Sequence, residues 1–178
     1  MSGSFATIGH SNRSPRTVIE MLREARAQLM IDVRSFPKSR SNPDFNDNRF
    51  PQMLADFQIG YRHMPALGGR RPKQPGIDDR LNAFWRVRSF HNYADYALGP
   101  DFQRARAELV ELGQRQCVAM MCSEAVWWRC HRRIITGWLL LHGHAVRHLM
   151  APGRIDMAEP TDGAQLREDG AVIYPSAA

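Results

Sequence analysis

Lysine is almost missing from this chain. Of its 24 basic residues only Lys38 and Lys73 are lysines, and the rest are arginines. Cysteine is scarce as well. Three cysteines are an odd number, which speaks against a disulfide scaffold. No run approaches the roughly 18 apolar residues that a membrane helix needs, so no membrane partner is expected. The opening Met-Ser-Gly-Ser-Phe-Ala has no basic region and no long apolar stretch, so no secretory leader is expected and the cytoplasm is the expected compartment. There is no internal repeat and no low-complexity run, which excludes solenoids and biased linkers.

The chain has 178 residues with a hydrophobic fraction of 43% and a formal charge of +6. That length suits one domain with a real core. Arginine presents a planar fork that matches phosphates and carboxylates, so an anionic partner is plausible. The competing explanation is a genomic preference for arginine codons.

The chain is organised around Cys117 to Arg133. Val118 to Met121 is a short apolar run that reads as a buried strand. After it come Cys122, Glu124, Arg129, Cys130, His131, Arg132 and Arg133. From Trp127 to Leu141 the pattern predicts a helix whose first N–H groups face an anion.

Other elements follow in order. Phe5 to Gly9 reads as a strand ending in His10 and Ser11. Ser14-Pro15 starts a helix with Val18, Ile19, Leu22 and Ala25 on its apolar face. Leu29 to Val33 is a second strand, delivering Asp32, Arg34 and Ser35 into a loop rich in turn residues. The strand–helix–strand unit predicts parallel pairing with a right-handed crossover. Phe50 to Ile59 predicts a helix stopped by Gly60, and Tyr61 to Met64 a third strand. Gly68-Gly69-Arg70-Arg71 reads as a flexible basic loop. Leu81 to Tyr96 reads as broken short helices, and Pro100 to Leu112 as a helix ended by Gly113. Ala145 to Met150 is expected to be the last strand. The expected fold is α/β, a single-domain three-layer sandwich with a mostly parallel, Rossmann-like sheet over 1–150 and a C-terminal tail over 151–178. Ala171 to Tyr174 could add a short strand to that tail.

In a parallel sheet the polar strand ends share one edge. They are His10 and Ser11, Asp32 and Arg34, His63, and Cys122 with Glu124. The sequence therefore predicts one pocket. Each residue also has a structural role open to it: Asp32 paired with Arg34, His10 as a bonded loop histidine, the tryptophans as core. A thiolate nucleophile at Cys122 or Cys130 beside His131, a metal site, and structural burial are the three readings of the cysteines. The spacing Cys-x7-Cys-His matches no standard zinc motif. Cys122 to Arg129 is one residue longer than a phosphatase loop and carries no glycine. No motif specifies a cofactor, a resident metal or an oligomeric state.

Several stretches together are similar to one family: Thr7 to Arg13, Asp32 to Pro37, Asn42 to Asn46, Leu67 to Arg70, Tyr93 to Tyr96, and Met121 to Glu124 with Cys130 to Arg133. They resemble the domain of unknown function 488. The resemblance runs from Thr7 to about Leu149 and implies a bacterial cytoplasmic α/β domain with no established reaction. Its pattern points to His10, Ser11, Asp32, Arg34, Glu124, Cys130, His131 and Arg132. The expected function is an enzyme acting on a phosphate-bearing substrate, a nucleotide or nucleic acid. Asp32, Glu124, Cys130 and His131 would be catalytic, and His10, Ser11, Arg34, Arg70, Arg129 and Arg132 would bind substrate. The alternatives are a non-catalytic nucleic-acid-binding module, with bases stacked on Trp127 or Trp128, and a Cys/His metal or redox protein.

Overall fold

A computed structural model describes residues 3–176. Its main sheet has six strands: β1 (Ser4–Gly9), β2 (Leu29–Asp32), β3 (Gly60–His63), β4 (Val118–Cys122), β5 (Ala145–Ala151) and β6 (Arg154–Met157). Their order is β3-β2-β4-β1-β5-β6, parallel except for the antiparallel edge strand β6. The fold is the expected α/β sandwich with a Rossmann-like sheet. β1 and β2 run parallel but do not pair with each other. β4 lies between them, and all five of its residues are buried. Such a continuous apolar run suits a central strand covered on both faces.

Helices α1 (Pro15–Glu24) and α2 (Phe50–Ala55) cover one face. Helices α3 (Arg88–Tyr96), α4 (Pro100–Arg115) and α5 (Arg132–Leu141) cover the other. Ser14 caps α1 by accepting from the Thr17 N–H, with Pro15 at the first helical position. Side chains of β4 alternate between the layers. Val118, Met120 and Cys122 join the α3–α5 core, whereas Ala119 and Met121 join the α1–α2 core.

Three helix boundaries differ from the sequence pattern. α2 ends at Ala55, before Gln58 at φ +58°, and Gly60 is the first residue of β3 rather than a helix stop. Gly113 lies inside α4, where it leaves room for the Phe5 ring, so the helix runs on to Arg115. The helix expected from Trp127 is a 3-10 turn over Trp127–Arg129, a break at Cys130 and His131, and then α5. The break frees Cys130 from the helical ladder and lets it face the sheet.

β5 is followed by more strands. β6 pairs with it, and β7 (Gln165–Leu166) and β8 (Val172–Ile173) form a separate antiparallel pair. Of the stretch expected as a tail from 151, Arg154–Met157 extends the main sheet. Within that stretch Val172 and Tyr174 are buried against the α3–α5 layer. The short added strand expected there is β8.

A candidate active site at the carboxyl ends of the strands

A cavity of about 690 Å³ opens where β1, β2 and β4 end. Its walls come from the turns after those strands, from the loop after β2, from Gly69 and Arg70, and from the start of α3. Of the residues expected at the site it gathers His10, Ser11, Arg34, Arg70, Glu124, Arg129, Cys130 and His131. Cys122 lies beside them. Asp32 and Arg132 are not on the wall; both are buried beneath it.

Strand parity explains Asp32. It pairs in register with Met121, whose side chain faces the α1–α2 core, while Cys122 faces the other layer. Asp32 is fully buried and grips Arg34: Arg34 Nε donates to its Oδ1 at 2.9 Å and Nη2 to its Oδ2 at 2.6 Å. The Tyr61 hydroxyl donates to the same carboxylate at 2.5 Å. A carboxylate so occupied orients an arginine, and it has no path to a substrate. The catalytic role expected for Asp32 is therefore withdrawn. Burial disfavours the Arg34 charge, but the Asp32 partnership outweighs it and holds the pKa above its ordinary value.

Arg34 Nη2 also donates to the Phe45 carbonyl at 2.8 Å, and Nη1 reaches His10 Nε2 at 3.4 Å. His10 Nδ1 donates to the Ser11 carbonyl at 2.9 Å, which leaves Nε2 to accept. Burial first, and Arg34 second, hold the His10 pKa down, so the ring is neutral. Its ring stacks on Phe45 at 4.6 Å. The loop after β2 supplies Phe45 and is pinned back by Asn42, whose Nδ2 donates to the carbonyls of Ser11 and Arg13. His63, the remaining strand end, lies outside the cavity and donates from Nε2 to the Arg34 carbonyl at 2.7 Å.

Two close approaches fix the frame. A β-carbon on Gly9 would collide with the Glu124 carbonyl, because the turn after β4 crosses directly over the end of β1. Gly69 brings its backbone onto His131, where a β-carbon would lie 2.6 Å from Nδ1. The glycine loop expected to be flexible is thus a packed wall. It is held by the Tyr93 hydroxyl donating to the Leu67 carbonyl at 2.8 Å and the Tyr96 hydroxyl to the Ala66 carbonyl at 2.7 Å. Ser11, between the cavity and β4, sits at φ +45°, a backbone region that serine rarely adopts.

The sulfur chemistry is the most concentrated feature. Cys122 and Cys130 are both buried and unbridged, with sulfurs 2.8 Å apart. Arg132 Nη1 donates to Cys122 Sγ at 2.5 Å, and the Arg132 backbone N–H, at the start of α5, reaches Cys130 Sγ at 3.4 Å. His131 Nε2 donates to the Val33 carbonyl at 2.8 Å, so its bare Nδ1 faces Cys130 Sγ at 3.5 Å as an acceptor. Burial opposes ionisation of Cys130, but the Cys122 thiol and Arg132 outweigh it and pull its pKa down. Burial, then the neighbouring sulfur, pushes Cys122 up. Both shifts belong to one coupled pair of sulfurs. Burial also keeps the His131 imidazole neutral.

Glu124 is exposed on the rim, and its Oε1 accepts from the Val126 N–H at 3.4 Å. Arg70 and Arg129 are exposed there too, and among the described residues neither meets a carboxylate. Arg70 lies over the exposed Phe36 ring. The basic run Arg129 to Arg133 does not form a surface stripe. Arg132 is inside, and Arg133 donates to Thr161 at 2.8 Å beneath Trp85 and Trp127. Trp127 is occupied by a parallel stack on His148, with ring centroids 4.6 Å apart, while Trp128 is exposed.

The model of one family, described as Domain of unknown function DUF488, matches residues 14–139. The chain belongs to this family. The matched span begins after His10 and Ser11 and includes the loop after β2, Gly69, both cavity cysteines and His131. No curated protein and no solved structure matches the chain. Sequence reasoning passed over Ser35, Lys38, Ser39, Ser41, Asn42, Ser89 and Phe90 as cavity residues. The serine and asparagine density of 35–42 was a usable signal, since small polar residues in a strand-end loop supply ligand bonds. Nothing in the pattern of 81–96 announces that the start of α3 meets the cavity. No described helix is long and apolar enough to cross a membrane.

Proposed function

We propose that the protein is an enzyme acting on a phosphate-bearing substrate, a nucleotide or nucleic acid, within this cavity. The observation that carries the reading is two rim arginines, Arg70 and Arg129, without acid partners among the described residues, opening onto a sulfur in contact with a second one and a neutral imidazole. The arginines hold phosphate. Cys130, whose pKa is held below its ordinary value and whose sulfur faces the bare Nδ1 of His131, is the nucleophile. Glu124 moves a proton to or from the leaving group. Arg34 shapes the floor without binding substrate, because Asp32 and Phe45 occupy its fork. The burial of Arg132 and the occupied face of Trp127 weigh against a purely nucleic-acid-binding surface.

Binding is tested by melting the protein with a mononucleotide, with inorganic phosphate and with a short single-stranded oligonucleotide at two salt concentrations. A ligand at about 100 times its Kd stabilises by about 2.7 kcal/mol. The expected result is a rise in Tm that shrinks with salt and is lost in the Arg129→Ala and Arg70→Ala chains. No rise with any probe at low salt rejects the phosphate reading. Once turnover is found, Glu124→Gln should lower it about 100-fold or more with affinity retained.

A further inference from the structure

Arg132 is 1% exposed, yet its side-chain hydrogen bonds among the described residues include no carboxylate. They go to Cys122 Sγ and to the carbonyls of Ile8, Glu124 and Ala125. A buried cation without a counter-charge is strongly unfavourable. Carbonyl dipoles offset part of that cost. The ionisable group that its guanidinium touches directly is the sulfur pair, which supplies a full negative charge when it carries one proton instead of two. The sulfurs are in contact, Cys130 borders the neutral imidazole of His131, and both line the same cavity. Cys130, at 6% exposure against 2% for Cys122, is the more open of the two.

We propose that Cys122 and Cys130 are a redox-active dithiol that reduces small anionic disulfides admitted to the cavity. The Cys130 thiolate attacks one sulfur of the substrate disulfide. A bond forms between Cys130 and that sulfur, the substrate S–S bond breaks, and the other half leaves as a thiolate. Cys122 gives up the proton of the pair to the departing half. Its own thiolate, held by Arg132, then attacks Cys130 Sγ, and the second half leaves as a thiolate. Two electrons pass from the dithiol to the substrate, giving one protein disulfide, one thiol and one thiolate. A thiol reductant returns the protein to its starting state. Arg70 and Arg129 at the rim select disulfides that carry carboxylates. This activity does not depend on the phosphate-bearing substrate proposed above, although it uses the same cavity.

The test uses the reduced full chain under exclusion of air, with oxidised glutathione as the probe. Free thiols are counted after denaturation, and linked peptides are mapped by mass spectrometry. The three free thiols should fall to one, that of Cys117, with Cys122 linked to Cys130. Cys122→Ser should stop at a mixed disulfide of glutathione on Cys130, and Cys130→Ser should form none at either cavity position. Cys122→Ala, checked by its melting curve, serves if the serine chain does not fold. Retention of all three thiols in the wild-type chain, or glutathione found on Cys117 instead, overturns the proposal without reference to any variant. The same wild-type sample is melted at low salt with the mononucleotide, inorganic phosphate and the oligonucleotide. A shift with any of them without dithiol oxidation rejects only the redox activity, and oxidation without a shift from any of them rejects only the phosphate reading.

Discussion

Replacing Asp32 by alanine should damage the fold more than the chemistry. The carboxylate receives the Arg34 backbone N–H at 3.1 Å, Nε at 2.9 Å, Nη2 at 2.6 Å and the Tyr61 hydroxyl at 2.5 Å. Asp32→Ala strips all four donors of their acceptor at once. Arg34, only 6% exposed, then keeps its charge with one carbonyl and a long contact to His10. Losing one member of a buried pair costs about 3–5 kcal/mol. For a chain of this size each kcal/mol lowers Tm by about 2–4 °C, so the expected fall is roughly 6–20 °C. The second arm is Asp32→Ala with Arg34→Met. Removing the stranded charge should recover a large part of the loss, because an apolar pair is often as stable as the ion pair it replaces. Calorimetry or denaturant melts of the single and double variants measure both effects. A single variant within about 1 kcal/mol of wild type would refute the reasoning. So would a double variant as unstable as the sum of its singles.

Two further predictions concern the frame around the cavity. Burial, then Arg132, lowers the His148 pKa to about 4, while the unfolded chain titrates near 6.5. The unfolded state therefore binds the extra proton first, and stability should fall as pH drops from about 6.5 to about 4, by at most about 3 kcal/mol. His10 and His131, also held below their ordinary values, act in the same direction. A melting series against pH should show this decline, and His148→Gln should flatten it; an unchanged slope would remove the assignment. Gly9→Ala sets a β-carbon against the backbone of Glu124, where no side chain can rotate away. It should cost about 1–3 kcal/mol or more by overpacking and open the cavity floor, read as a lower Tm and a lost ligand shift.

Much of the architecture was legible because periodicity reports burial. The β4 run, the Ser14-Pro15 start of α1 and the apolar face of α5 each announce an element through local pattern alone. The strand order was not legible, since an apolar run does not say which neighbours it takes. The break before α5 was hidden because Trp127 to Arg133 carries no proline or glycine to mark it. At the site, the ends of β1, β2 and β4 meet at the cavity, while His63 at the end of β3 lies outside it. Asp32 was misjudged because a sequence reveals that two residues share an edge more readily than which face each one points to. Parity in the register decides that, and the register is known only when β2 is seen beside β4.

The two buried arginines give the cavity a property that its scarcity of lysine makes intelligible. Arg34, in the floor, and Arg132, beneath it, are 6% and 1% exposed. A lysine in such a place readily surrenders its proton, whereas a guanidinium does not. The positive potential beneath the site therefore acts as a fixed bias. The sulfurs and imidazoles above it move with pH. Their response is set against a constant background, so the chemistry of the pair can be tuned by a single proton without the support shifting underneath.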